Sequence, residues 1–374
     1  MPYVSSLCNM LKGALKTIFS PPPAKDFGAW QIELTTRCPL RCKMCVREQC
    51  PNRPRQEMSL DDFRKILPYL KNVESVVLEG WGESLFHPNL PEIIRLAKKE
   101  GPQVGFVTSV MGISESAIEE ILQAGVDFIG FSIAGAAPKT HNAIRVNSDL
   151  EKLLQGIRTF QSAKARRQQE KPNFHIVYLL LKDNIAEAPL VPPLAKSLGI
   201  THVFLIQLAQ VSNTWQDQQK CFSRNALKEY EDILKEVEAK ARELKISLRC
   251  PPTAAQDVSV CSENPLRNLY ISVKGNVSPC VYLNPPVDSP FIRIYDGKEC
   301  PTEKVKFGNI FEEPFAKIWH GEEYEAFRNC FTAREKKFKE VYDAFLKGER
   351  SQNLDRPFPD PPLPCQTCHK MWGM

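Results

Sequence analysis

Short apolar runs separated by amphipathic stretches dominate the chain from Trp30 to about residue 210. The runs 30–35 (WQIELT), 75–79 (SVVLE), 104–108 (VGFVT), 127–133 (DFIGFSI), 174–181 (FHIVYLLL) and 202–207 (HVFLIQ) read as buried strands. The stretches between them carry helix signals. Ser59 precedes LDDFRKILPYL, and Ser116 with Glu119 forms a capping box with Gly125 past its end. Ser148 with Glu151 forms a second box, and Gly199 closes a helix beginning near Ala186. Six strand–helix units in succession predict a parallel sheet with right-handed crossovers. Periodicity alone leaves open whether that sheet is doubly wound or curls into a complete or partial barrel.

Both ends depart from this pattern. Residues 3–20 repeat Val4, Leu7, Leu11, Leu15 and Ile18 at helical spacing, and Ser20-Pro21-Pro22-Pro23 stops them. This predicts a helix packed on the body; an interfacial membrane helix is the second reading, against which the few lysines, Lys12 and Lys16, argue. After a charged helix near 225–244, residues 268–282 read as a hairpin around Lys274-Gly275-Asn276. Helical segments follow near 314–328 and 332–348, then a proline-rich connector, 357–364. The expected division is 1–29 as helix and linker, 30–245 as the α/β body, and 246–374 as a smaller second unit with a charged helical insert at 321–364.

Composition narrows the function. In 374 residues, 43% hydrophobic and 25% charged positions exclude a wholly disordered chain. No apolar run approaches the ~20 residues of a membrane span. A net charge of +5 over this length argues for no polyanion, hence no nucleic-acid partner. The 13 cysteines cannot all pair internally, and no secretory signal is visible, so a cytoplasmic, reducing location is expected. Thiols there serve more often as metal ligands or redox groups.

Cys38, Cys42 and Cys45 have the spacing C-x3-C-x2-C at the C-terminal end of the first predicted strand, the edge where parallel α/β folds bind ligands. Three thiolates on one loop suit an iron–sulfur cluster with one iron left open for a substrate or cofactor. Zinc, which favours paired C-x2-C units, and plain buried cysteines are the competing readings. The triad resembles that of the radical S-adenosylmethionine (SAM) superfamily. In that family the open iron chelates SAM, and an electron from the cluster cleaves it to methionine and a 5′-deoxyadenosyl radical that abstracts hydrogen from substrate. Met44 stands where the family commonly has an aromatic residue near the adenine.

Other positions extend the resemblance. Gly80-Trp81-Gly82-Glu83-Ser84 follows the second strand and is similar to the glycine–glutamate motif that holds the SAM amino group, with Ser84 in place of proline. The physical logic stands by itself, since glycines permit close backbone approach and a carboxylate pairs with an ammonium. Ser132 on the fourth strand and the downstream Arg145 resemble the family's ribose and carboxylate contacts, and Asn184 sits where the family often has a polar SAM contact. The resemblance spans roughly residues 30–210 and implies a partial (β/α)6 TIM-like barrel.

A second set comprises Cys261, Cys280, Cys365 and Cys368. Four thiolates can hold a complete 4Fe–4S cluster, and from spacing alone a zinc ribbon is equally possible. The C-x13-G-x4-C element with a later C-x2-C, and Phe307-Gly308-Asn309-Ile310 and Ile318-Trp319 between them, resemble the SPASM/Twitch extension of radical SAM enzymes. Because the sequence given ends six residues after Cys368, it is similar to the shorter Twitch form, an α+β domain with one auxiliary cluster, as in the butirosin-pathway 2-deoxy-scyllo-inosamine dehydrogenase. Cys250 and Cys300 are the reserve ligands.

The resemblance implies SAM, two 4Fe–4S clusters and a flavodoxin- or ferredoxin-type electron donor. It also implies oxidation of a small-molecule or peptide substrate, the auxiliary cluster taking the second electron. A maturase acting on a metalloenzyme or its cofactor is the alternative, and an iron–sulfur electron carrier without SAM chemistry is the alternative of another class. For a catalytic base, Glu33, Tyr178, Gln207 and Tyr282 lie on or near strands that can point inward.

Overall fold

The computed structural model describes residues 25–50, 52, 54–347 and 358–374. The helix expected over 3–20 lies outside the described residues. Strand β1 (Phe27–Ile32) leads into a loop carrying the two-residue β2 (Arg41–Cys42). Then come α1 (Leu60–Leu70), β3 (Val73–Val77), α2 (Leu90–Lys99), β4 (Gln103–Thr108), α3 (Glu115–Gln123) and β5 (Phe128–Ile133). The barrel half closes with α4 (Pro138–Ile144), β6 (Arg145–Val146), α5 (Leu150–Arg166), β7 (Asn173–Leu180), α6 (Val191–Ser197) and β8 (His202–Gln207). After α7 (Thr214–Gln218) and α8 (Lys228–Glu243) lie β9 (Ser247–Arg249), β10 (Leu269–Ile271), β11 (Asn276–Ser278), the β12 (Phe291–Tyr295)–β13 (Lys298–Thr302) hairpin and β14 (Gly308–Asn309). Helices α9 (Phe315–Trp319) and α10 (Glu322–Leu346) precede the cysteine tail.

The main sheet runs β14-β11-β10-β1-β3-β4-β5-β7-β8-β9. Its six central strands, β1, β3, β4, β5, β7 and β8, are the six expected units, all parallel. Two-residue periodicity divides each strand. Trp30, Ile32, Val76, Phe106, Phe131, Ile176 and Leu205 join the core under the helices. Gln31, Val77, Val107, Ser132, Val177 and Ile206 face a central cavity instead.

The second unit is sewn into this sheet. β10 pairs parallel with β1, Trp30 against Leu269 and Ile32 against Ile271. The expected hairpin is present as β10–β11, turning at Gly275 with φ +82°, where glycine is favoured. The sheet therefore crosses the boundary expected at 245/246.

Several local expectations shift. Ser59 does cap α1, its Oγ accepting from the Asp62 N–H at 3.0 Å. The cap of α3 is Ser114 rather than Ser116, and the cap of α5 is Asp149 rather than Ser148. Each neighbour offers an equally short side-chain acceptor, so sequence spacing does not choose between them. The helix expected from Ala186 is a 3-10 turn over Ile185–Leu190 followed by α6, because Pro189, Pro192 and Pro193 lack the N–H groups of a continuous helix. Helices 314–328 and 332–348 become the short α9, a break at His320-Gly321, and the 25-residue α10. Among the described residues no helix is long and apolar enough to cross a membrane.

Candidate active site

The loop after β1 carries Cys38, Cys42 and Cys45. Backbone pairing of Cys42 with Arg145 through β2 and β6, and the Lys43 N–H bond to the Ile144 carbonyl at 3.0 Å, stitch this loop to the end of α4. Arg145 is thereby brought beside the triad. Burial pushes the Cys42 thiol up to about 11, opposed by the Arg145 guanidinium and reinforced by the neighbouring Cys45 and Cys38. Buried Arg47 flanks the same loop, its Nη2 donating to the Cys38 carbonyl at 3.3 Å. Burial raises Cys38 as well, with Arg47 opposing. Two guanidinium groups thus favour thiolates in a place that otherwise disfavours them.

The glycine–glutamate segment is fixed by its neighbours. Buried Glu33 accepts from the Trp81 N–H at 2.9 Å and from the Val273 N–H at 3.2 Å. A Cβ on Gly80 would stand 2.5 Å from the Glu33 Cβ and Cγ, and one on Gly82 would overlap the Thr35 carbonyl. Ser84, the departure from proline, donates to the Leu78 carbonyl at 2.6 Å and pins the turn by a hydrogen bond. The Glu83 Oε2 accepts from the Ser109 N–H at 2.8 Å and hydroxyl at 2.7 Å. Its carboxylate is therefore anchored to the end of β4.

Gly80, Trp81, Ser132 and Arg145 line one cavity of about 510 Å³ at the C-terminal ends of the strands. Cys280 and Tyr282 line the same cavity. The Nε of Arg145 is buried with no hydrogen-bond partner, as fits a guanidinium that serves a ligand carboxylate. Met44 packs beside an apolar cluster that includes Ala134, Ile144 and Leu179.

Cys261, Cys280, Cys365 and Cys368 converge from three segments. Burial raises the thiols of Cys261, Cys280 and Cys365, and each is raised further by others of the set; Cys261 reaches about 12. Among the described residues no three His, Cys, Asp or Glu side chains are placed to hold a single metal ion. Cys250 stands apart, raised to about 11 by burial with Glu238 as its charged neighbour, and Cys300 bonds within its own hairpin. None of the described cysteines forms a disulfide.

Of the residues expected as bases, only Tyr282 reaches the main cavity. Glu33 is occupied as a backbone acceptor. Tyr178 falls on the helix-facing parity of β7 and donates to the Asn184 carbonyl at 2.9 Å. Gln207 lines a smaller adjoining cavity of about 360 Å³ and donates to the Pro252 carbonyl at 3.1 Å. Asn184 lies away from the cavity, its amide tying Ala134, Leu179 and Leu181 together. Two residues escaped the sequence reading. Glu79 lines the main cavity, where burial and then the like charges of Glu83 and Glu263 push its carboxyl up to about 7. Arg293 is buried and donates to the Pro364 carbonyl at 2.7 Å and the Tyr282 carbonyl at 2.8 Å, joining the Cys365 and Cys280 loops. Glu79 is the first polar residue after an apolar strand, a faint signal; Arg293 has none.

The Radical SAM superfamily model matches residues 32–189, and an iron–sulfur cluster-binding (SPASM) domain model matches 261–369. The chain is a radical SAM enzyme with a C-terminal SPASM/Twitch domain. It is 24% identical over 309 residues to the tungsten-containing aldehyde ferredoxin oxidoreductase cofactor-modifying protein of Pyrococcus furiosus, covering 79% of this chain and 82% of that one. It is 26% identical over 334 residues to the AdoMet-dependent heme synthase of Methanosarcina barkeri, covering 83% and 86%. The fold is similar to that of Streptococcus suis SuiB, solved with S-adenosylmethionine (TM-score 0.60, 12% identity, 80% of this chain and 67% of that one). SuiB bound to precursor peptide SuiA gives a TM-score of 0.58 at 12% identity, covering 92% and 70%. The chain's cofactors are SAM and two 4Fe–4S clusters, and its chemistry begins with reductive cleavage of SAM to a 5′-deoxyadenosyl radical. These relatives set aside the electron carrier without SAM chemistry.

Proposed function

We propose that this chain carries out a net two-electron oxidation of a substrate seated in the 510 Å³ cavity. Cys38, Cys42 and Cys45 hold the SAM-binding cluster, and Cys261, Cys280, Cys365 and Cys368 the auxiliary one. The observation that carries this reading is the shared cavity, which Ser132, Arg145 and Cys280 all line. When bound, SAM supplies the radical that removes a hydrogen atom from the substrate, and the auxiliary cluster supplies an acceptor for the second electron. Arg145 offers its unpartnered Nε to the SAM carboxylate, and Ser132 its hydroxyl to the ribose. The Gly80–Gly82 backbone, locked by Glu33, lets the cofactor approach closely. The apolar side chains Val77, Val107, Val177 and Leu179 restrict water at the reacting carbon.

The substrate is a small molecule or a peptide segment. Similarity to a cofactor-modifying protein over most of both chains supports a second reading, maturation of a metalloenzyme or its cofactor. The electron enters from a flavodoxin- or ferredoxin-type donor on the outer side of the triad. There a groove of about 320 Å³ is lined by Arg37, Arg41, Arg47 and Arg55 around Cys38. Glu48 also lines it and pairs with Arg41 at 2.9 Å, Arg37 pairs with Glu57 at 2.6 Å and Arg47 is buried, so arginines still outnumber acids at a surface that suits a small acidic protein. A reducing cytoplasm is the compartment that suits these thiols.

The test is anaerobic turnover of the reconstituted enzyme with SAM and dithionite, supplied with extract from host cells grown in deuterated medium. Deuterium should enter 5′-deoxyadenosine, and one extract component should lose two hydrogens. Deoxyadenosine that never acquires deuterium from any fraction would count against the reading.

A further inference from the structure

Glu79 follows β3 on the face that points inward, and its N–H bonds to the Val77 carbonyl at 2.9 Å. Neighbouring inward carboxylates are engaged. Glu33 holds Trp81 and Val273, Glu83 holds Ser109, and Glu187 holds Ala136, Ala137 and Thr140. Glu263 is paired with Lys370 at 3.0 Å. The Glu79 carboxylate accepts no hydrogen bond from any described residue. It opens instead on the cavity that Ser132, Arg145, Cys280 and Tyr282 also line. The charged and titratable groups that face it are Glu83, Glu263, Arg145 and Tyr282. An unbonded, half-buried carboxylate on a cavity wall next to two like charges is a site that gains from taking a proton.

We propose that Glu79 accepts the proton released when the substrate radical is oxidised, so that the enzyme acts on a carbon bearing an O–H or N–H. This rests on the oxidative reading above. Removal of the carbon-bound hydrogen atom from a secondary alcohol leaves a carbon radical that still carries its hydroxyl. One electron then passes to the auxiliary cluster and the hydroxyl proton to the Glu79 carboxylate, as the carbon–oxygen bond becomes double. The products are a ketone, a cluster reduced by one electron and neutral glutamic acid; an amine gives an imine by the same balance. Glu79 shares one cavity with Ser132 and Arg145, assigned above to SAM, and with Cys280 of the auxiliary set. An acceptor titrating near the working pH is ionised often enough to receive the proton and basic enough to keep it.

The experiment compares wild type with Glu79→Gln and Glu79→Asp in the deuterated-extract assay. Iron content and SAM binding are matched first, to establish folding. In Glu79→Gln, deuterium should still enter deoxyadenosine, while the component lacking two hydrogens falls about 100-fold or more. Glu79→Asp should retain part of the product. Independently of turnover, infrared titration of the holoenzyme labelled with 13C-glutamate should show a carboxyl with a midpoint near 7, missing from Glu79→Gln. Unchanged product in Glu79→Gln, parallel loss of deuterium transfer and product, or absence of the titrating band would each overturn the proposal. If wild type itself transfers no deuterium, the oxidative reading falls, and this assignment with it.

Discussion

Replacing Arg293 with Met should strip the auxiliary cluster while sparing the triad. The Arg293 side chain is buried and bridges two loops, donating to the Pro364 carbonyl at 2.7 Å and to the Tyr282 carbonyl at 2.8 Å. One loop delivers Cys365, the other Cys280, and the guanidinium lowers the thiol pKa of both. Hydrogen bonds from a charged donor contribute ~1.5–3 kcal/mol each, and the two carbonyls would be left without that partner. The guanidinium also stands 5.1 Å from the centre of the Phe291 ring, a contact worth ~0.5–2 kcal/mol. Methionine recovers some packing but none of the polar interactions, so a loss of about 3–5 kcal/mol is expected. Concentrated at the auxiliary site, this is a weakening of cluster retention by at least about 100-fold. The assay is iron and acid-labile sulfide per chain after reconstitution, with the rate of iron release to a chelator. About eight irons should fall to about four, the released half leaving first. Arg224→Met is the control, because its pair with Asp296 is open to solvent on both sides and contributes little to stability. Full iron content and a wild-type release rate in Arg293→Met would refute the argument.

Further outcomes test other parts of the site. Cys42→Ala should abolish deoxyadenosine formation under dithionite in a chain whose circular dichroism is unchanged. Arg41→Glu should slow flavodoxin-driven SAM cleavage about tenfold at low salt, with the deficit shrinking as salt screens the groove, and should leave the dithionite-driven rate unaltered. Buried His141 and half-buried His175 are pushed down to about 3 and about 4 chiefly by loss of hydration. Their folded-state values lie below the unfolded one, so the stability they contribute is complete above about 6.5 and is lost as pH falls toward 4. Melting temperatures should therefore be flat from pH 8 to 7 and drop below pH 6.5, more shallowly in His175→Gln.

The parallel body was legible because hydrophobic period and turn signals agree over six units. Strand positions came within three residues, β1 beginning at Phe27 rather than Trp30. Cap residues were not, since Ser114 and Ser116, or Ser148 and Asp149, compete on equal terms until tertiary contacts choose. Both cysteine sets can be proposed from sequence because ligands for one cluster must recur at short spacing or in characteristic pairs, and the fold brings the members of each set near one another. The base cannot. Tyr178 was a plausible choice only while the parity of β7 was unknown, and Glu33 only while its two backbone partners were. The value of Glu79 lies in what it lacks, a hydrogen-bond donor, and a missing contact leaves no mark in sequence. Arg293 likewise acts on residues 11 and 71 positions away.

The register between β1 and β10 ties the segments that carry the two cysteine sets into one sheet. β1 ends at Ile32, paired with Ile271 at the end of β10, and the cysteine loop begins from that end. β10 leads through the Gly275 turn into β11 and directly to Cys280. The sheet hydrogen bonds that set the height of Cys38 thus also set the height of the auxiliary region. Glu33 adds a second clamp, one oxygen on Trp81 of the barrel and the other on Val273 of the auxiliary hairpin. Trp81 completes it, its indole N–H donating to the Asn284 carbonyl at 3.1 Å. Electron acceptance across a cavity depends on fixed spacing between donor and acceptor, and a flexible linker at residue 246 would not give it. The continuous sheet does, and it leaves the cavity lined by residues whose positions one hydrogen-bond network determines.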